Sequence, residues 1–267
     1  MPHTDIDQIK SSSPLVSWLM CTNKIDDFLF RAIESCLCQT MNDFELLLIV
    51  NGSNYLHITE ILSKKYSSDD RIRIVGTPVH FLNFSLTLGL HLARSNFVAR
   101  MDADDIAMPD RLANQYSYLK SNEDVVVLGS SYYLIDSKNN IHGLVDVPLT
   151  NSDIRNALCY RNPICHPSVM LRRKAILEVG GYIGGIFAED YDLWLRICSN
   201  KKWSFANIST PLLSYNISPS GQARGSHLAY FNSSVILLRQ FFLTGRFPCL
   251  IGFFHNVFKG FFSKKHK

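Results

Sequence analysis

The sequence predicts an α/β fold, a mostly parallel sheet with helices on both faces and a C-terminal helical extension. Three observations carry that expectation. Short apolar runs and helically spaced apolar residues alternate, with brief connections, over the first hundred residues, as in parallel strands joined by covering helices. Three carboxylates, Asp102, Asp104 and Asp105, follow directly on one of these runs, and such sheets bind ligands beyond the carboxyl ends of their strands. The last part of the chain changes character, becoming basic and rich in phenylalanine.

Taken in order, Leu15-Val16-Ser17-Trp18-Leu19-Met20 reads as a buried strand, and Leu29, Ile33, Cys36 and Leu37 follow helical spacing. Phe44 to Val50 is a second strand, stopped by the turn signal Asn51-Gly52-Ser53. A helix around Ile58, Ile61 and Leu62 leads to the alternating strand Arg71 to Val75. Leu86, Leu90 and Ala93 mark the next helix, before the strand Phe97 to Met101. Pro109 suits the first turn of a helix whose Leu112, Tyr116 and Leu119 share a face. Val125 to Gly129 is another strand, and Asn139-Asn140 suggests a hairpin in the mixed segment after it.

The 267 residues fit one large folding unit, residues 1–217, followed by a basic, Phe-rich amphipathic extension, 218–267. Seven cysteines without a CxxC pair indicate neither a zinc site nor a disulfide framework. The first seven residues have neither a basic nor an apolar segment, so a secretory signal is not expected there and a cytoplasmic setting is. All 23 acidic residues lie at or before Asp192, giving a net −6 to that point and +10 after it. Such segregation points to an anionic partner for the C-terminal part. Eight phenylalanines between Phe241 and Phe262, interrupted by Arg246 and Pro248, leave no run long enough to span a bilayer. Interleaved with lysine, they suit a helix lying in a membrane interface, whereas no nucleic-acid motif accompanies them.

Carboxylates at a strand end are costly unless they have work to do. Hard oxygen ligands suit Mg²⁺ or Mn²⁺, which share their coordination with phosphate oxygens. No Gly-rich phosphate loop is present, so a bound diphosphate would need a metal and basic side chains. Arg100 shares strand parity with Asp102 and belongs on the same face. The plainer alternative is a solvated acidic turn, with Asp105 capping the next helix. Glu189, Asp190 and Asp192 open a later helical pattern, where the dipole favours ionised carboxylates and Asp192 can pair with Arg196. Gly180-Gly181-Tyr182-Ile183-Gly184-Gly185 before them reads as flexible. Asp190 shares a face with Trp194 and Ile197, a suitable place for a general base between core and cleft.

Several segments in order now carry a resemblance: Arg31-Ala32-Ile33-Glu34-Ser35 with Gln39-Thr40 and Phe44-Glu45-Leu46; Ala99-Arg100-Met101-Asp102-Ala103-Asp104-Asp105; Pro109-Asp110-Arg111 with Gln115; His166-Pro167-Ser168-Val169-Met170; and Val179-Gly180-Gly181-Tyr182 leading to Ala188-Glu189-Asp190-Tyr191-Asp192-Leu193-Trp194-Leu195-Arg196. Together they span about residues 14 to 215, and the chain resembles a family 2 glycosyltransferase with the GT-A fold. The resemblance implies inverting transfer of a hexose from a nucleotide-sugar. It implies that Asp102 and Asp104 hold the ribose and the diphosphate-bound Mn²⁺ or Mg²⁺. Asp190 of the Glu189-Asp190 pair would take the acceptor's proton, and Arg100 and Arg111 would join the donor site, as would His166 unless it is a buried structural histidine. One departure stands out, since the family's second strand commonly ends in Asp-Asp-Gly-Ser and this chain has Val50-Asn51-Gly52-Ser53. Reading of uracil in a UDP-sugar then falls to Asn51, to backbone groups or to another residue. By the same analogy the acceptor is a saccharide on a polyprenyl diphosphate at the inner face of the cytoplasmic membrane, in O-antigen or capsule assembly. A haloacid-dehalogenase phosphatase would need its DxD on the first strand, which does not hold here. A nucleotidyltransferase and a non-catalytic carbohydrate- or membrane-binding module are the remaining alternatives, separated by the products released.

Overall fold

The computed structural model of the protein describes residues 13–184, 187–217 and 227–262. The N-terminal Met1 to Asp7, Gly185, Arg224 and the tail from Ser263 to Lys267 lie outside the described residues. The expected alternation is present: β1 (Val16–Thr22), α1 (Asp27–Leu37), β2 (Phe44–Asn51), α2 (Tyr55–Lys65), β3 (Ile72–Thr77), α3 (Leu82–Leu92) and β4 (Phe97–Met101). Asp26 caps α1, its side chain accepting from Leu29 N at 2.9 Å. After β5 (Ile106–Ala107) come α4 (Arg111–Ser121), β6 (Val125–Ile135), β7 (Ile141–Val145) and α5 (Asn151–Ala157). β8 (Met170–Arg172), α6 (Arg173–Glu178), α7 (Glu189–Cys198), β9 (Ser204–Asn216), α8 (His227–Thr244) and α9 (Phe247–Phe262) complete the described chain.

The nine strands form one sheet in the order β3-β2-β1-β4-β8-β6-β9-β5, with β7 beside β6. β3, β2, β1 and β4 run parallel. β8 joins antiparallel at β4 and β6, and β6 pairs parallel with β9. The chain winds outward from β1 to β3, then crosses to the other side of β1 for β4. That reversal opens a crevice beyond the ends of β1 and β4, the usual ligand position in an open α/β sheet.

Strand periodicity divides the core. On β1, Val16, Trp18 and Met20 face one layer with Ile33, Leu62 and Leu112 of the covering helices. Leu19 faces the other with Leu47, Ile49, Leu86 and Trp194. The hairpin expected at Asn139-Asn140 joins β6 to β7, and Asn139 takes a left-handed φ of 67° there. Pro109 falls just before α4 rather than in its first turn, and Asp110 is the N-cap. β6 runs six residues beyond the expected Gly129 because β7 and β9 both pair with that continuation.

Glycines before α7 serve turn geometry and close packing more than flexibility. Gly180 and Gly181 take positive φ, and their amides bond back to Leu177 O and Ile176 O, closing α6. A Cβ on Gly184 would lie 2.3 Å from the Asp192 Cβ.

The C-terminal helices α8 and α9 form a hairpin docked on the sheet domain, with Ile236, Leu237 and Cys249 in the same apolar cluster as Trp194. Asp192, wholly buried, pairs with Arg196 at 2.7 Å and also with Arg239 of α8. Arg246 donates to Cys198 Sγ and Arg155 O. Three of the ten basic residues after Asp192 are therefore partnered within the molecule. All seven cysteines are free thiols, as expected, with Cys159 and Cys249 in contact.

The docked face of α9 is made of small residues. Cys249, Gly252, Asn256 and Gly260 point inward, while Phe247, Ile251, Phe254, Phe258, Phe261 and Phe262 point outward. No described helix is long and apolar enough to cross a membrane. Gly252 sits so close that an added Cβ would fall 1.9 Å from the Cys159 carbonyl oxygen. Gly252→Ala should therefore destabilise the fold by about 1–3 kcal/mol through forced separation of the hairpin. Gly143→Ala, where a Cβ meets nothing within 4 Å, is the control. Thermal melts of the two variants check this, and equal midpoints would refute the tight docking.

Candidate active site at the carboxyl end of the sheet

Two acidic groups face each other across the crevice. The first follows β4. Arg100 and Asp102 share a face, as parity requires, and pair at 2.5 Å with the Arg100 side chain only 4 % exposed. The carboxylates of Asp102, Asp104 and Asp105 all lie within 4.8 Å of one another. Burial first, then the charge of Asp102, raises the Asp104 carboxyl above its usual range. The same causes, with Asp104 added, push buried Asp105 well up. Asp105 does not cap α4. Its Oδ1 accepts from Asn216 N at 2.9 Å, tying the cluster to β9, because α4 begins too far along the chain. Its buried Oδ2 has no partner among the described residues, and neither do Nε and Nη1 of Arg100. Crowded carboxylates with an orphaned oxygen fit a divalent cation, and the free guanidinium edge fits phosphate oxygens. Asp102 and Asp104 would hold the metal, with Asp105 as a third oxygen donor that the sequence reading assigned elsewhere.

The second group opens α7. Burial and then neighbouring Asp190 raise the Glu189 carboxyl to about 7, and Asp102 across the cleft adds to the rise. Burial also raises Asp190, against the expectation that the helix dipole would keep its carboxyl low. Desolvation outweighs the few tenths of a kcal/mol that a dipole supplies. Asn162 Nδ2 donates to Asp190 Oδ2 at 2.7 Å and fixes the carboxylate. A cleft of about 370 Å³ runs from Asp190 and His166 past Asn162 to Tyr132 and Val147.

Other expected site residues take distinct places. His166 is buried beside the cleft with its Nε2 2.9 Å from Tyr182 Oη, and burial, then Arg100, hold its pKa well below the ordinary value. It is a neutral imidazole oriented by a phenol. Asn51 ends β2 with Nδ2 donating to Ser85 Oγ at 3.0 Å, whose own hydroxyl donates to Phe81 O. That chain of donors leaves Asn51 Oδ1 as an acceptor. Arg111 is a correction, because it is fully buried and its guanidinium nitrogens are all taken by Gln115, Met101 Sδ and the carbonyls of Arg100 and Val169. Its Nη2 donates to Arg100 O at 2.7 Å and its guanidinium lies 4.8 Å over the Trp18 ring. It braces the Arg100 backbone from below. Asn162 and Tyr182 were not foreseen as positioning residues, and only the Asn162-Pro163 step hinted at a shaped loop.

This sheet, with carboxylates at the switch point and an acidic helix start opposite, defines the GT-A class of glycosyltransferases. The S. aureus TarS 1-349 structure in complex with UDP-GlcNAc superposes with a TM-score of 0.67 at 16% identity, covering 91% of this chain and 72% of that one. The sequence pattern of Glycosyl transferase family 2 matches residues 17–181, and the chain belongs to that family. It is 33% identical over 252 residues to the O-antigen biosynthesis glycosyltransferase WbnJ of Escherichia coli, spanning 92% of this chain and 97% of that protein. A UDP-Gal:alpha-D-GlcNAc-diphosphoundecaprenol beta-1,3-galactosyltransferase of Escherichia coli is 27% identical over 176 residues, 65% of this chain and 63% of that protein. The protein is thus a glycosyltransferase of the surface-polysaccharide type.

A raised folded-state carboxyl binds its proton where the unfolded chain has released it. For Glu189 that window runs from its ordinary 4.5 to about 7. Stability present below the window is lost as pH rises through it. Glu189→Gln removes that loss and should stabilise the protein by about 1–3 kcal/mol near pH 8, with little gain near pH 4. Thermal melts in EDTA across this range test it, and a pH-independent difference would refute the burial argument.

Proposed function

We propose that the protein transfers a hexose, with inversion, from a UDP-sugar to a saccharide carried on a lipid diphosphate at a membrane surface. The observation that carries this reading is Asp190, a half-buried cleft carboxylate oriented by Asn162 and within electrostatic reach of Arg100, which pairs with Asp102. The acceptor hydroxyl gives its proton to Asp190 as its oxygen attacks the anomeric carbon and the bond to the diphosphate breaks. A raised pKa makes Asp190 a stronger base nearer the working pH. A bound Mn²⁺ or Mg²⁺ would neutralise charge on the departing diphosphate. Arg100 supplies fixed positive charge to the same oxygens, and Asn51 Oδ1 accepts the uracil N3–H. The relative that names UDP-Gal and a diphosphoundecaprenol acceptor supports the donor and acceptor classes.

Asp190→Asn keeps the shape and the hydrogen bond to Tyr191 N but cannot take a proton. Turnover should fall by roughly 10² to 10⁴ while donor affinity persists. If Glu189→Gln loses turnover and Asp190→Asn keeps it, the roles are reversed. Asp104→Ala or EDTA should lower the rate by about a thousandfold or more. Full activity without a divalent ion would exclude the metal. Free UDP as product supports sugar transfer, whereas pyrophosphate would signal nucleotidyl transfer.

The outward stripe of α9 supports peripheral attachment to the inner membrane face, because no carboxylate follows Asp192 to repel anionic lipid. Phe258 and Phe262 are 64% and 73% exposed, so replacing both with serine should spare the fold. Each buried phenyl contributes about 1.5–3 kcal/mol, so binding to anionic vesicles should drop by tenfold or more in flotation assays. Unchanged binding, or a melting midpoint lowered as for a core change, would count against the membrane reading.

A further inference from the structure

A second groove, of about 280 Å³, opens on the other side of Asp190. One wall carries Arg161, Asn162 and Asp190, and the other carries Tyr230 of α8 with Asn256 and Lys259 of α9. Asn256 Nδ2 donates to Tyr160 O at 3.0 Å and to Gly252 O at 2.8 Å, so the hairpin is clasped to the loop bearing Arg161. The width of the groove is therefore built in. Its lining joins Asp190, the proposed base, to Lys259, which neighbours Phe258 on the helix bearing the phenylalanine stripe.

The charges are arranged along that path. Arg196 and Arg239 are occupied by Asp192, and Arg246 by a thiol and a carbonyl. Arg161 and Lys259 make no ion pair among the described residues, and both are exposed. The hairpin wall brings no carboxylate, since none occurs after Asp192. Asp190 is the acidic group in this groove, and it lies at the end where a neutral hydroxyl has to arrive. A forked guanidinium and a point ammonium on facing walls suit a group with several phosphate oxygens.

We propose that Arg161 and Lys259 hold the diphosphate of the acceptor in this groove, with its saccharide toward Asp190 and its lipid running out along the α9 stripe. The inference rests on the acceptor class proposed above and assigns that acceptor a place. It makes the hairpin one half of the acceptor site, beyond any role as an anchor.

The test uses the full chain without vesicles and two soluble acceptors: a short-chain alkyl diphosphate saccharide and the same saccharide as a neutral alkyl glycoside. Lys259→Gln and Arg161→Gln should each raise KM for the diphosphate acceptor about tenfold, as expected for losing one charge-assisted contact. Lys259→Arg should retain most of the affinity. Lys259→Gln should leave both constants for the neutral glycoside within twofold of wild type. An unchanged KM for the diphosphate acceptor, or equal losses with both acceptors, overturns the assignment. A loss seen only when anionic vesicles are added places Lys259 on lipid headgroups and also overturns it. Should the wild-type protein use the neutral glycoside as well as the diphosphate one, the acceptor class itself fails, whatever the variants do.

Discussion

One buried cation organises the cleft. Arg100 pairs with Asp102 and exerts its charge on Asp104, Asp105, Glu189 and Asp190. Five carboxylates in one crevice would repel one another and resist burial. A guanidinium among them partly offsets that cost and still leaves the carboxyls perturbed. Arg100 must itself be held, and its carbonyl is bonded from below by fully buried Arg111. Two arginines, one bonded to the other's backbone, thus connect the sheet's interior to the cleft. The lower one is positional, the upper one electrostatic.

The parallel half of the sheet was legible because buried strands read as unbroken apolar runs between helical spacings. Arg100 and Asp102 were placed together by strand parity alone, and Asp192 with Arg196 by helical spacing, each a short-range rule. What escaped depends on contacts between distant segments. β9, thirteen residues long, alternates imperfectly, and its partners β5 and β6 lie far off in sequence. Asp105 looked like a helix cap until its bond to Asn216, more than a hundred residues away, set its role. Arg111 belonged to a recognisable motif, yet its complete burial lies outside what a motif states.

The C-terminal region shows the same divide. Phenylalanine interleaved with lysine suggested an interfacial helix, and most phenylalanines of α9 are exposed. The docked face was invisible to hydropathy, because size and not polarity selects it. Glycine, cysteine and asparagine are modest in any apolar scale, but on α9 they allow the backbone to approach the Cys159 loop. Counting charges was also incomplete, since Arg196, Arg239 and Arg246 are engaged by partners within the chain and leave fewer unpaired cations than the sequence total suggests.

Asp192 sits two residues beyond Asp190, gripped at once from its own helix and from α8. For anyone recombining such enzymes, this makes the C-terminal region a poor cassette. A donor segment lacking the counterpart of Arg239 would leave a carboxylate half-neutralised in the core beside the reaction centre. One lacking a glycine opposite the Cys159 carbonyl would sit askew. Working chimeras would carry these partners across in pairs, and natural exchange of acceptor range would face the same linkage.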